Sequence, residues 1–312
     1  MDESGWPYVH PHDWTDVEKI RALLEGGADP DGEANYGVRA LHLAAEYGSP
    51  AVVAELAERV SDIDAEDHGR SALWVAVCHH RMDNVRPLIE AGADPWRTMM
   101  GGWSPGRLSL AGATPDLFEV PESEAGLSAA ESALVVSALR LNEMLDDADR
   151  YSEGLSLACV AGVGAEEAVR ALGGSTLTAA EIDPQEEDDI DIIGVTDVPG
   201  GCVLSQPWGY APQMPGVMAR LSVGTFAYGL YANPKSGDQG CISENGATTA
   251  WDLSPGYPGS AATPRDVLVG YVTPHNAIAH CFVYAGLEPR DARSVEGPPD
   301  IWMRLPELDW WK

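Results

Sequence analysis

Gly26-Gly27-Ala28-Asp29-Pro30 returns sixty-five residues later as Ala91-Gly92-Ala93-Asp94-Pro95, and Leu41-His42-Leu43-Ala44-Ala45 is echoed thirty-two residues on by Leu73-Trp74-Val75-Ala76-Val77. A period near 33 marks a stacked helical repeat. Such stacks expose a long surface suited to touching other molecules rather than a closed pocket suited to chemistry.

In register, Ile20, Leu23 and Leu24 correspond to Val53, Leu56 and Ala57 and then to Val85, Leu88 and Ile89. Each set has helical spacing and is followed by a polar break, which predicts three outer helices. Leu41 with Ala44 and Ala45, and Leu73 with Ala76 and Val77, mark short inner helices whose alanines permit close approach. The first outer helix is expected over about Thr15 to Glu25, with Thr15 or Asp16 as its cap. A further unit opens at Gly102-Trp103-Ser104-Pro105, but Gly106, Gly112 and Pro115 oppose a clean helix pair, so the stack is expected to end near residue 112. So short a solenoid hides its apolar faces only against neighbours, and docking against the C-terminal half is expected.

The pattern resembles the ankyrin repeat, a β-turn finger followed by two antiparallel helices, with Thr-Pro-Leu-His-x-Ala-Ala at the first helix and Gly-Ala-Asp near the end of the second. Leu41-His42-Leu43-Ala44-Ala45 and the Gly-Ala-Asp-Pro segments carry the likeness, while Arg39-Ala40 stands for Thr-Pro and Trp74 for the histidine. Trp74 either fills a local gap or faces a ligand. The resemblance implies that partners are met by fingers and inner helices, which nominates Tyr36, Arg39, His42, Glu46, His68, Arg70, Trp74, Cys78, Trp96, Arg97 and Trp103. Aromatic and Arg side chains dominate binding energy in interfaces. Pro95 to Trp103 concentrates two Trp, two Met and an Arg where a loop should be polar, so it either meets a partner or packs on the second domain.

The 312 residues carry 49 acidic against 19 basic side chains, a formal charge of -30. That field opposes phosphate backbones and excludes nucleic acid as an expected partner, whereas basic peptides or protein faces are attracted. No eighteen-residue apolar run exists, so no membrane partner is expected. The acidic start, Met1-Asp2-Glu3-Ser4, does not read as a secretory signal. Cys78, Cys159, Cys202, Cys241 and Cys281 are odd in number and never paired as Cys-x-x-Cys, which fits a reduced compartment. Three lysines beside sixteen arginines point to a high-GC bacterium, and cytoplasmic residence is the expectation.

Thr114 to Gly126 reads as a connector, and Ser128 to Asp147 has a helical pattern. Beyond it, Gly154 to Val160 is strand-like, Gly164 to Leu172 helical, and Asp183 to Asp189 a solvated acidic run. Gly201 to Ser205, Gly224 to Tyr231 and Gly240 to Glu244 are short and β-prone. Asn245-Gly246 is a hairpin turn leading to Ala247 to Leu253, and a helix is predicted over Thr273 to Ala285. Together they predict an antiparallel sheet. This half resembles an actinobacterial domain family of unknown function. The likeness rests on Ser156-Leu157 with Val160 and Gly162, on Ala171-Leu172-Gly173, Trp208-Gly209, Gly224 to Tyr228, and Trp251-Asp252-Leu253-Ser254-Pro255.

The expected architecture is thus a multidomain α+β chain. An arm spans residues 1–14, a short α-helical solenoid 15–112, a linker with a connecting helix 113–150, and an α+β domain with an antiparallel sheet 151–312. No nucleophile elbow, phosphate loop, His-Glu-x-x-His or dinucleotide fingerprint occurs, so no cofactor is called for. Cys78-His79-His80, and His275 with His280 and Cys281, have spacings that do not align ligands on one helix face, so no metal is expected. The reading favours a binding protein without catalysis, regulatory or of immunity type. The alternative is an enzyme acting on a peptide or small metabolite, in which Trp208, Tyr210, Tyr228, Asp252 and His275 converge, with Asp252 and His275 as acid and base.

Overall fold

The computed structural model describes residues 5–145, 154–178, 181, 182, 191–207, 209–233, 235, 237–259 and 261–312. The acidic run from Asp183 to Asp189 and Trp208 lie outside them. The chain resolves into two compact units, Met1–Glu131 with Pro258–Tyr271, and Ser132–Tyr257 with Val272–Lys312. The first unit runs on past residue 112 and takes in a segment remote in sequence.

In the repeat unit the outer helices are α1 (Val17–Glu25), α3 (Pro50–Ala57) and α5 (Met82–Glu90), and the inner helices are α2 (Ala40–Tyr47) and α4 (Ala72–Cys78), joined in chain order. Their starts follow from local chemistry. Asp16 accepts from the amides of Glu18 and Lys19 at 3.1 Å each, and Ser71 accepts from Trp74 at 3.1 Å. Pro50 occupies the first turn of α3, where its missing N–H is not needed. Ile20, Val53, Leu56, Leu73, Ala76 and Leu88 are fully buried between helices, as their period requires.

A ladder of side-chain to backbone bonds repeats with the sequence. Asp29, Asp62 and Asp94 each accept the amide two residues on, at 3.0, 3.0 and 2.9 Å, closing equivalent Asx turns. Asp31 and Asp64 reach across to the next repeat and accept the amides of Ser61 and Asp94, both at 3.0 Å. Asn84 on α5 donates to the carbonyls of Ala45 and Gly48, at 3.0 and 3.1 Å, satisfying the open C-terminal end of α2.

The fourth repeat is shortened, as Gly106 foretold: a Cβ there would lie 2.9 Å from the carbonyl of Pro95. Its inner helix α6 (Pro105–Ser109) still forms, capped by Ser104. Helix α7 (Ala129–Leu145) follows the connector.

In the second unit one sheet holds β1 (Leu155–Ala161), β2 (Ser175–Leu177), β3 (Ile192–Val198), β4 (Gly201–Pro207), β5 (Phe226–Ala232), β6 (Gln239–Glu244), β7 (Ala247–Asp252) and β8 (Ile301–Arg304). Its order is β2-β8-β3-β4-β1-β5-β6-β7, antiparallel throughout. The multidomain α+β expectation holds. Helices α8 (Ala165–Leu172) and α9 (Pro215–Leu221) bury Ala168, Leu172, Val217 and Met218 against Val160, Val195 and Leu204 of the sheet.

Returning to the repeat unit, helix α10 (Pro264–Val272) contributes Pro264 to Tyr271 to it. Thr263 and Asp266 form a reciprocal cap at its start, with the Thr263 amide donating to the Asp266 carboxylate at 2.8 Å. Tyr271 stacks on His80 at 4.6 Å between ring centres, and its carbonyl bonds His80 Nε2 at 3.0 Å. The end of the stack is thus closed by α10, in place of a fourth outer helix. The last long helix, α11 (Ala277–Ala285), packs on β5 and starts at Ala277 rather than Thr273. His275 is left-handed at φ 58°, and Asn276 caps by accepting from Ala279 at 2.8 Å.

Candidate functional site

The three fingers turn on equivalent pairs: Tyr36-Gly37, His68-Gly69 and Gly101-Gly102. All six residues are left-handed, with φ of 60°, 71°, 50°, 74°, 59° and 77° in that order. Two consecutive left-handed residues make the tight turn whose twist suits a short hairpin, and Glu33 with Arg39 and Asp67 with Arg70 form the bridging pairs beneath two of them. Glycine supplies the second position freely, whereas a left-handed Tyr36 or His68 costs about 1 kcal/mol or more. The geometry drives Tyr36 into solvent, 85% exposed, and leaves His68 exposed as well. At the third finger a side chain would have no room, because a Cβ on Gly101 would lie 3.0 Å from the carbonyl of Thr263.

Between the first two fingers and the inner helices α2 and α4 lies a cavity of about 200 Å³. Of the nominated residues, Tyr36, His42, Glu46, His68 and Arg70 come together on its wall, joined by Trp14, Tyr47, Asp67, Val75 and His79. His42 is buried, and its Nε2 donates to the carbonyl of Arg70 at 2.8 Å, tying one inner helix to the next finger. Burial holds its imidazole below the ordinary histidine range and so favours the neutral ring. Asp67 accepts the Arg39 amide at 3.1 Å and meets His68 Nδ1 at 2.5 Å, while Glu46 faces His79 Nδ1 at 3.6 Å. Aromatic, cationic and anionic groups therefore share one groove, an arrangement that can grip a polar segment of chain.

The remaining candidates lie elsewhere. Trp74 is 1% exposed, so of its two readings packing is the one it adopts. Trp103 is fully buried; its indole N–H donates to the carbonyl of Pro264 at 2.8 Å and Arg107 covers its ring at 4.1 Å. Its reading as a surface anchor is corrected: the aromatic serves the closed end of the stack. Trp96 is half-buried against Gly106. Arg39 and Arg97 donate to the finger carbonyls of Asp31 and Asp64, both at 3.0 Å, which gives them structural work on the fingers. Cys78 is half-buried, and burial pushes its thiol up to about 11, far from a reactive thiolate. Sequence reasoning missed Asp67, Tyr47 and Trp14, although the Tyr-Gly and His-Gly recurrence at the finger tips was there to find.

In the second unit the alternative pair does not meet. Asp252 accepts from Tyr228 OH at 2.8 Å and lies 3.8 Å from His280 Nε2, whereas His275 Nδ1 bonds Tyr257 OH at 3.1 Å. No hydrogen bond or ion pair joins Asp252 to His275 among the described residues. Tyr228 is buried, which pushes its phenol well above the usual range. A separate cleft of about 410 Å³ is lined by Thr196, Asp197, Arg290, Asp291 and Arg293. Among the described residues no group of three or more His, Cys, Asp or Glu is placed to hold a metal ion, and no helix is long and apolar enough to cross a membrane.

No curated protein matches the chain. Residues 13–99 match the family described as ankyrin repeats, in three copies, so the N-terminal region is an ankyrin-repeat region, a kind of scaffold that generally binds proteins.

Proposed function

We propose that the groove between the first two fingers binds a protein or peptide segment of net basic character, without catalysis. The observation that carries this reading is the convergence of Tyr36, His42, Glu46, His68 and Arg70 on one cavity. Two further features support it. Tyr36 is held outward in a left-handed conformation, with Tyr8 edge-on to its ring at 6.3 Å, and strain of that kind concentrates at functional sites. The charge of -30 draws basic partners over distance and repels acidic ones.

On this reading the protein is regulatory or of immunity type, holding a basic partner, and works in a bacterial cytoplasm. Its second unit, of the actinobacterial family that it resembles, offers a second face. The test is fluorescence titration with short basic peptides selected on the wild-type protein. Tyr36→Ala with His68→Ala is expected to weaken binding at least about tenfold, as paired aromatic anchors do. Equal affinity for wild type and variant would overturn the groove as the site.

A further inference from the structure

The groove holds a cation that the protein itself does not neutralise. Arg70 is fixed by its backbone: its amide donates to the Asp67 carbonyl at 3.0 Å, and its own carbonyl takes the Asp67 amide at 2.9 Å and His42 at 2.8 Å. Its guanidinium has no ion pair or hydrogen bond among the described residues, and its Nε is buried. Arg39, Arg81, Arg170 and Arg220 reach backbone carbonyls, and other arginines reach carboxylates. Arg21 is held by Glu55 and Glu18, Arg97 by Glu66, Arg107 by Glu131 and Arg293 by Asp300.

Acids stand close by, yet each has another partner. Asp67 accepts the Arg39 amide and meets His68, and Glu46 lies 3.6 Å from His79 Nδ1. In a chain with 49 acidic and 19 basic side chains, Arg70 is a half-buried guanidinium without a carboxylate partner among the described residues. Its planar fork matches two carboxylate oxygens, and Trp14, Tyr36 and Tyr47 on the same wall offer apolar contact to the segment that carries them.

Resting on the reading of the groove as a peptide site, we propose that Arg70 is the anchor for one carboxylate of the bound segment. The carboxylate comes from an Asp or Glu side chain or from a free C-terminus. The rest of the segment is basic, because several acids would meet the repulsion of the whole chain.

The probe is an array of short random peptides made in matched forms: with Glu or Gln at each position, and with a C-terminal acid or amide. Wild type is expected to prefer the carboxylate form by about tenfold or more, and Arg70→Gln to bind both forms alike. Arg70→Lys, which keeps the charge without the fork, is expected to retain part of the preference. The Glu/Gln and acid/amide arms tell the two carboxylate sources apart. Binding indifferent to the carboxylate in wild type, or a preference surviving in Arg70→Gln, overturns the anchor while leaving the peptide groove standing. Binding in no arm overturns the groove itself. If Arg70→Gln fails to fold, the matched forms on wild type and Arg70→Lys still decide.

Discussion

Tyr36 gives up conformational comfort for exposure. Tyr36→Gly removes the left-handed penalty, so calorimetry is expected to find a melting stability unchanged or raised by up to about 1 kcal/mol, while peptide affinity falls. A clear loss of stability would mean that Tyr36 is structural. His42 works in the opposite sense, as a buried ring that must stay neutral. Its folded affinity for protons lies below that of the unfolded chain, so its contribution is complete above about pH 6.5 and is lost as pH falls from there toward the depressed folded value. His42→Gln should flatten that part of the stability profile in urea titrations at successive pH values, and an unchanged slope would refute it. Cys78, with its thiol near 11, should react with iodoacetamide far more slowly than a free thiol at neutral pH, as mass spectrometry of the native protein would show.

At the scale of elements, Asn84 and Trp103 are buried side chains that tie one helix end and one finger to their neighbours. Asn84→Ala leaves the carbonyls at the end of α2 without their donor and is expected to cost about 1–3 kcal/mol in chemical denaturation. Trp103→Ala removes a fully buried indole and its bond to Pro264, with an expected loss of about 3–5 kcal/mol. The outer helices were legible in sequence because Ile20, Val53 and Val85 sit on one apolar face with a regular return. The finger turns were legible only in part: Tyr36-Gly37 and His68-Gly69 can be found by their spacing, but the outward aim of Tyr36 follows from backbone angles that spacing does not encode. Helix α10 was missed as part of the stack because Tyr271 meets His80 across 191 residues of chain, beyond any periodic signal. The predicted start at Thr273 failed because a left-handed His275 delays the helix until Asn276 can cap it.

Over the whole molecule, the acidic charge acts on encounter rather than on grip. Binding of a basic peptide should weaken steadily as salt rises, and a salt-independent affinity would remove the long-range attraction. The candidate pair Asp252 and His275 shows the limit of reading a site from residue types alone, since each finds a different partner within the same unit. On the proposed reading, a visitor touches the groove between the first two fingers. A photo-reactive residue placed at Tyr36 in the groove, and in a second protein at the exposed Arg86 on outer helix α5, should be illuminated with the same selected peptide. Cross-linking from position 36 and not from position 86 is the predicted result; labelling from position 86 alone, or equally from both, would contradict the groove.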